Sequence, residues 1–220
     1  MFNGFTDYHS HILPGVDDGI RHMDDALEVL KHYESLGVKK VWLTPHIMED
    51  IPNTTSELRE RFEELKSAYK GGIELKLAAE NMIDNLFVKR LEQGDVLPHG
   101  DRGKELLLET SYVQAPYGFY KILQDVKKAG YTPILAHPER YRYMELENYD
   151  KLRAQGVLFQ MNIMSLSNAY GPEARKRAEY LLENDMYSYY GSDLHNLGHF
   201  KEMTEEKCIK KKIADILSRK

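Results

Sequence analysis

Short apolar runs rich in β-forming residues recur along the chain, and stretches in which apolar residues follow a helical spacing lie between them. In the first of these stretches, Leu27, Leu30 and Tyr33 lie at helical spacing, and Gly37 follows as a stop signal. The predicted helices are 24–36, 56–69, 82–91, 117–129, 149–155 and 173–183. The seven predicted strands are 4–8, 38–44, 75–79, 105–108, 132–136, 157–161 and 186–190.

The alternation of strands and helices indicates a parallel sheet, because the strands are too apolar to leave one face in water. Seven strand–helix units in 220 residues predict an α/β fold, a distorted (β/α)7 TIM-like barrel, as one domain over residues 1–220. A doubly wound open sheet is the alternative. It would usually carry a Gly-x-Gly-x-x-Gly phosphate loop after an early strand, which the segment 15–19 does not match.

Composition excludes some classes of protein. Hydrophobic residues make up 42% of the chain, which is enough for a sizeable core. The net charge is −5 with neutral histidines, so the overall charge does not favour binding to nucleic acid or to an anionic membrane surface. No apolar run reaches the ~18 residues of a spanning helix, and the first residues lack the basic and apolar regions of a secretory signal. We therefore predict a cytoplasmic protein that neither inserts into membranes nor binds nucleic acid.

Histidines and carboxylates stand at or just after the ends of the predicted strands. The carboxyl ends of barrel strands converge on one face, and the imidazoles of His9 and His11 point to the same side because strand side chains alternate. Imidazole and carboxylate ligands together suit divalent zinc, manganese and iron. The candidate metal ligands are His9, His11, Asp18, His46, Glu80, Glu109, His137, Asp193 and His195.

These nine ligands exceed what one tetrahedral site can use, so the sequence predicts two or three divalent ions with Glu80 as a candidate bridge. Arg140 follows His137 by three residues, so the same turn can bring a guanidinium to the edge of the site. Clustered cations of this kind attract a phosphoryl dianion and lower the pKa of bound water.

Two other hydrolase mechanisms lack their motifs. The single cysteine, Cys208, is predicted to lie in a Lys-rich C-terminal helix without a Cys-x5-Arg loop, which excludes a cysteine-phosphoenzyme. No Gly-x-Ser-x-Gly elbow supports a serine hydrolase. Three further histidines have no matching partner and are assigned to helix faces or loops: His22, His32 and His99.

Six blocks of sequence carry a resemblance to a known family. They are residues 7–19 (Asp-Tyr-His-Ser-His-Ile-Leu-Pro-Gly-Val-Asp-Asp-Gly), Thr44-Pro45-His46, Ala79-Glu80, Leu108-Glu109, residues 136–141 (Ala-His-Pro-Glu-Arg-Tyr) and residues 191–196 (Gly-Ser-Asp-Leu-His-Asn). The arrangement resembles the polymerase-and-histidinol-phosphatase (PHP) superfamily of metal-dependent phosphoesterases. Within it, the blocks are most similar to the bacterial protein-tyrosine phosphatases linked to capsular polysaccharide synthesis.

This resemblance implies three metal sites. The first would be formed by His9, His11, Glu80 and Asp193. The second would share Glu80 and add Glu109 and His137, and the third would be formed by Asp18, His46 and His195. It also implies manganese, with iron, cobalt or zinc as related ions, and a phosphate-binding role for Arg140.

The family often carries a further arginine just beyond the last block. The segment 196–200 contains none, which leaves His199 as a candidate for a weaker contact to substrate. The resemblance implies a phosphotyrosine substrate in the tyrosine-rich tail of a bacterial tyrosine autokinase, whose dephosphorylation would regulate capsular or exopolysaccharide synthesis. It leaves a homo-oligomer open.

Two other functions remain open from the sequence. One is a small-molecule phosphoesterase of the same superfamily, such as a histidinol-phosphate or nucleotide phosphatase. The other is a catalytically weak metal protein that acts as a regulatory subunit. The absence of the further arginine in the segment 196–200 leaves this function open. Activity on a panel of phosphopeptides, histidinol phosphate and nucleotides distinguishes the three.

Overall fold

Strands and helices alternate through the part of the chain that the computed structural model describes, which comprises residues 2, 4–167, 169–205, 211 and 214. The strands are β1 (Thr6–Ser10), β2 (Lys40–Leu43), β3 (His46–Ile47), β4 (Glu74–Leu77), β5 (Glu80–Met82), β6 (Glu105–Glu109), β7 (Thr132–Ala136), β8 (Leu158–Asn162) and β9 (Tyr189–Gly191). The helices are α1 (Met23–Leu36), α2 (Thr55–Ala68), α3 (Asn85–Gln93), α4 (Phe119–Lys128), α5 (Leu146–Ala154), α6 (Pro172–Glu183) and α7 (Leu197–Glu205).

The strands form two parallel sheets, of order β1-β2-β4 and β3-β5-β6-β7-β8-β9. The predicted α/β class with a parallel sheet is confirmed, whereas seven strands in one barrel are not: the described residues contain nine strands in two sheets. Two predicted strands account for the difference, since each is followed by a second short strand. Pro45, which has no N–H to donate, separates β2 from β3, and Ala78 and Ala79 separate β4 from β5.

The two sheets contact each other where β9 passes β1. Ser10 and Leu194 form a parallel bridge, and the amide of Asp193 donates to the carbonyl of His9 at 2.8 Å. Gly191 permits this approach, because a Cβ at this position would lie 2.5 Å from the Cβ of His9. β1 and β9, the first and last strands of the described residues, are therefore adjacent.

The N-cap residues explain where three helices begin. Asp84 accepts a hydrogen bond from the amide of Phe87, so α3 begins at residue 85 rather than at the predicted 82. Glu145 and Asn148 form a capping box, so α5 begins at 146 rather than 149. Gly118 adopts a φ of +72°, which places the start of α4 at 119 rather than 117.

A large apolar cluster takes residues from all seven helices and packs them against the strands. A smaller cluster consists of Leu107, Ile134 and Ala136 from β6 and β7. Among the described residues, no helix is long and apolar enough to cross a membrane. One domain over 1–220 stays a prediction, and Cys208 with its predicted helix lies outside the described residues.

Candidate metal centre

The site lies where β6, β7 and β9 end and where the short strands β3 and β5 begin, in a cavity of about 500 Å³. Six of the nine predicted ligands line it: Asp18, His46, Glu80, His137, Asp193 and His195. The other three, His9, His11 and Glu109, are buried and contact lining residues. The structure therefore brings all nine side chains together.

One group of potential ligands is formed by His9, His11, Glu80 and Asp193, all of them buried. The Nε2 atoms of the two histidines are 3.1 Å apart. Oε2 of Glu80 lies 3.1 Å from Nε2 of His9 and 3.3 Å from Nε2 of His11. Oδ1 of Asp193 lies 3.4 Å and 3.3 Å from the same two nitrogens. This is the set that the family resemblance implies for one ion.

A second group consists of His46, Glu80 and Glu109. Nδ1 of His46 lies 3.2 Å from Oε2 of Glu80 and 3.0 Å from Oε1 of Glu109. His137, which the sequence places with these two carboxylates, contacts Glu80 through Nε2 at 2.9 Å. Among the described residues, this group differs from the predicted one because His46 occupies the place expected for His137.

The third group combines His11 with the predicted set of Asp18, His46 and His195. Oδ1 of Asp18 lies 3.6 Å from Nε2 of His46 and 3.3 Å from Nε2 of His195. Each pair of groups has one residue in common, because His11, His46 and Glu80 each belong to two of them. The three groups are therefore neighbours around one cavity.

Unpaired buried atoms show that the residues fit metal ions. Nδ1 of His46, Oε2 of Glu80 and Oε1 of Glu109 are buried without a hydrogen-bond partner, although both carboxylate oxygens lie within ion-pair distance of the His46 nitrogen. Nδ1 of His137 is also buried without a partner. Unpaired buried polar atoms are costly in a folded protein, and a shared divalent cation would satisfy several of them at once.

Opposite charges within the cluster shift the pKa values of its residues without a bound ion. Burial raises the pKa of Glu80, but His9 and His46 outweigh burial and hold this pKa well below its usual range. Burial lowers the pKa of His9, but Glu80 and Asp193 outweigh it and raise this pKa to about 9. Since a metal ligand must be a neutral imidazole, bound cations would take the place of these protons.

Two of the predicted ligands have backbone conformations that favour glycine. The φ angle is +32° at His137 and +53° at Asp193. The left-handed region costs a side-chain-bearing residue free energy, and such strain concentrates at functional sites. His137 directly follows β7, Asp193 lies two residues after the end of β9, and both line the cavity.

Supporting residues hold the imidazoles and one carboxylate in place. Oε1 of Gln160 lies 2.7 Å from Nδ1 of His9, and Oδ2 of Asp17 lies 2.8 Å from Nδ1 of His11. Nδ2 of Asn162 donates to Oδ2 of Asp193 at 2.9 Å. The sequence prediction missed these three roles, although Gln160 and Asn162 belong to β8, the strand that had no predicted ligand.

Arg140 is placed as the sequence predicts, at the edge of the cavity in the turn that follows His137. Its Nη1 donates to Oδ2 of Asp193 at 2.7 Å. Its guanidinium carbon lies 4.5 Å from the ring centre of Tyr112 and 4.2 Å from that of Tyr170. Burial lowers the pKa of Arg140, but the charge of Asp193 and smaller contributions from Tyr112, Tyr170 and Glu139 together outweigh burial and raise this pKa, so the guanidinium stays charged.

The remaining histidines divide between the cavity and other places. His199 lies in α7, is exposed and lines the cavity. His22 directly precedes α1 and His32 lies within it. His99 is buried and stacks on Trp42 at 4.4 Å. His22, His32 and His99 join none of the ligand groups found among the described residues.

Proteins similar to this chain share most of its length. The tyrosine-protein phosphatase CpsB from Streptococcus pneumoniae is 30% identical over 207 residues, which cover 87% of this chain and 83% of that protein. The tyrosine-protein phosphatase CpsB from Streptococcus agalactiae is 29% identical over 210 residues, with the same two coverages of 87% and 83%.

The fold is also shared with a solved structure. It comes from the crystal structures of YwqE from Bacillus subtilis and CpsB from Streptococcus pneumoniae, which are described as unique metal-dependent tyrosine phosphatases. The TM-score is 0.80 at 21% sequence identity, and the superposition covers 94% of this chain and 90% of the other.

A family model of capsular polysaccharide synthesis proteins matches residues 5–218, which is nearly the whole chain. The matched range contains all nine potential ligands and Arg140. The chain therefore belongs to the CpsB/CapC family of capsular polysaccharide synthesis.

Proposed function

We propose that this protein is a metal-dependent protein-tyrosine phosphatase. The observation that carries the proposal is the set of three interlocking ligand groups beside a charged arginine in one cavity. Clustered cations and a guanidinium are suited to a phosphoryl dianion and to the charge that develops on it during hydrolysis. Related proteins named as tyrosine-protein phosphatases support phosphotyrosine as the substrate.

We propose three divalent ions, with manganese in the first place and iron, cobalt or zinc as substitutes. The residues that would hold them are His9, His11, Glu80 and Asp193 for one, Glu80, Glu109 and His137 for another, and Asp18, His46 and His195 for the third, so that each imidazole binds one ion. When bound, such ions supply Lewis acidity and lower the pKa of water, which makes a nucleophile available at neutral pH.

The chain itself contributes orientation and a positive charge. Gln160 and Asp17 each bind the Nδ1 atom of an imidazole, which leaves the Nε2 atoms of His9 and His11 directed at the carboxylates. Arg140 supplies planar N–H groups at the edge of the cavity that can bind two phosphoryl oxygens. His199 is a further candidate for contact with the substrate, because it lines the same cavity.

The rim of the cavity favours a protein substrate over a small molecule. Tyr112 lines the cavity and is 38% exposed, and the following residues Val113 and Tyr117 are 68% and 102% exposed. Exposed apolar side chains grouped on one loop are typical of surfaces that contact other proteins. A small phosphate ester such as histidinol phosphate would not need this part of the surface.

Family membership supports a place for this reaction in polysaccharide synthesis. We propose that the substrate is the tyrosine-rich tail of a bacterial tyrosine autokinase and that its dephosphorylation regulates capsular polysaccharide synthesis in the cytoplasm. The family's link to capsular polysaccharide synthesis and relatives named as tyrosine-protein phosphatases support this proposal.

The test compares substrates on the metal-loaded protein. We expect hydrolysis of phosphotyrosine peptides with a higher kcat/KM than for histidinol phosphate or nucleotides. A preference for either small molecule would replace the proposal with a small-molecule phosphatase. Absence of hydrolysis of all three by protein with a full metal content would leave a regulatory metal protein.

A further inference from the structure

Three neighbouring loops bring two tyrosines against Arg140. Tyr112 follows β6, Arg140 follows β7, and Tyr170 follows β8. These strands are adjacent in the sheet in the order β6-β7-β8. The segments after β6 and β8 therefore lie on either side of the turn that carries the guanidinium.

The guanidinium of Arg140 lies over both phenol rings. Its central carbon is 4.5 Å from the ring centre of Tyr112 and 4.2 Å from that of Tyr170. Stacking on aromatic rings stabilises a guanidinium through the negative faces of the rings, and more strongly where water is excluded. The Arg140 side chain is 17% exposed, so most of its surface is already covered by protein.

Hydrogen bonds link Arg140, Asp193, Asn162 and Tyr170 into a closed circuit of contacts. Nη1 of Arg140 donates to Oδ2 of Asp193 at 2.7 Å, and Nδ2 of Asn162 donates to the same oxygen at 2.9 Å. The other hydrogen of the Asn162 amide is directed to the hydroxyl of Tyr170 at 3.2 Å. Arg140 is thus held both by the two rings and through one of its nitrogens.

The remaining donors of the guanidinium are available to a ligand. Among the described residues, Nε and Nη2 of Arg140 have no hydrogen-bond partner, and the side chain lines the cavity. We propose that Tyr112 and Tyr170 are positioning residues, which hold the guanidinium face-on so that its free N–H edge meets the phosphoryl group in plane. This inference rests on the proposed function, because it takes a phosphate monoester as the ligand.

The first test separates the contribution of the aromatic ring from that of the hydroxyl. Tyr112→Leu and Tyr170→Leu remove the ring, whereas Tyr112→Phe and Tyr170→Phe keep it. We expect each leucine variant to lower kcat and to raise the inhibition constant of inorganic phosphate, both by about five- to thirtyfold. The phenylalanine variants should retain most of the activity, least completely at Tyr170, whose hydroxyl has a partner.

A double-mutant cycle with Arg140→Ala tests whether the rings act through the arginine. In the Arg140→Ala background, the leucine substitutions should cause no further loss of activity or phosphate affinity. Full additivity would overturn the proposal, and so would leucine variants with unchanged phosphate inhibition but a raised KM for phosphotyrosine peptides. The latter result would place the rings against the substrate's own aromatic ring.

Two controls keep the outcome clear. Metal content and thermal unfolding of each variant must match the wild type, which separates loss of position from loss of the site. If the wild-type protein does not hydrolyse phosphotyrosine, the proposed function fails, and calorimetric binding of inorganic phosphate still tests the positioning role. Equal phosphate affinity of wild type and both leucine variants in that experiment would overturn it.

Discussion

Arg140 donates from Nη1 to Oδ2 of Asp193 at 2.7 Å, while the other carboxylate oxygen of Asp193 faces the buried histidine pair. Oδ1 lies 3.4 Å from Nε2 of His9 and 3.3 Å from Nε2 of His11. One carboxylate therefore connects the proposed phosphate-binding cation to a proposed ligand group. The orientation of the guanidinium and that of the carboxylate are set together.

Replacing Arg140 by lysine should separate its charge from its geometry. Arg140→Lys keeps a positive charge but cannot form two parallel hydrogen bonds to a phosphoryl group, so we expect turnover to fall about a hundredfold. Steady-state kinetics and a metal count on the same sample provide the measurement. Arg142→Lys is the matched control, because Arg142 is exposed two residues later and should tolerate the change. Activity of Arg140→Lys within twofold of wild type, with metals in place, would assign phosphate binding elsewhere.

Removing the charge of Glu80 should lower the number of bound ions. Oε2 of Glu80 lies within 3.3 Å of nitrogens of His9, His11 and His46, so this carboxylate belongs to two ligand groups. We expect Glu80→Gln to lose at least one divalent ion per chain and nearly all hydrolysis. Elemental analysis of protein purified without chelator gives the count.

Glu60→Gln provides the control for this carboxylate change, since Glu60 is exposed on α2. It should retain the wild-type metal content and activity. A Glu80→Gln protein with an unchanged metal count would remove Glu80 from the ligand set.

Chelation and cysteine substitution should distinguish this enzyme from cysteine-dependent phosphatases. We expect exhaustive chelation to abolish hydrolysis and added manganese to restore it, because no other nucleophile is expected. Cys208→Ser should leave kcat/KM unchanged, since the chain has no Cys-x5-Arg loop. Loss of activity in a folded Cys208→Ser protein with full metal content would contradict the metal-dependent mechanism.

A methyl group at Gly191 should destabilise the contact between β9 and β1. A Cβ there would lie 2.5 Å from Cβ and 2.7 Å from N of His9, and these atoms can separate only if the backbone moves. We expect Gly191→Ala to lower the free energy of unfolding by about 1–3 kcal/mol and to reduce metal content. Thermal unfolding and elemental analysis measure the two effects.

Gly72→Ala is the matched control, because its Cβ would meet only Oε1 of Glu34, at 3.9 Å, and its φ is not positive. Its unfolding temperature should stay close to that of the wild type. Equal stability of the Gly191→Ala protein would mean that β9 does not approach β1 as closely as described.

Spacing along the chain was enough to predict which side chains meet. Parallel strands alternate with helices, so residues after successive strands converge whatever the details of the sheet. His9 and Asp193 are 184 positions apart in the sequence, yet both could be placed in one site from their position after a strand. The division of the ligands into groups could not be predicted from this spacing, because the proximity of His46 to Glu109 depends on the short strand β3.

The supporting contacts could not be predicted for a physical reason. Asn162 and Gln160 look like ordinary polar residues of a strand, and their roles depend on which side chains the neighbouring strands present. Tyr170 is one of 15 tyrosines in the chain, and core packing is the ordinary expectation for each. Pairings across strands follow from register, which the pattern of apolar residues sets only approximately.

The contact between β1 and β9 means that the site cannot form until β9 has been synthesised. The ribosome makes His9 and His11 184 positions before Asp193 and His195, and the groups to which these residues belong stay incomplete until then. Ions that bind only the folded chain stabilise it by mass action. We therefore expect the cellular abundance of this protein, and not only its activity, to follow the supply of divalent metal during growth.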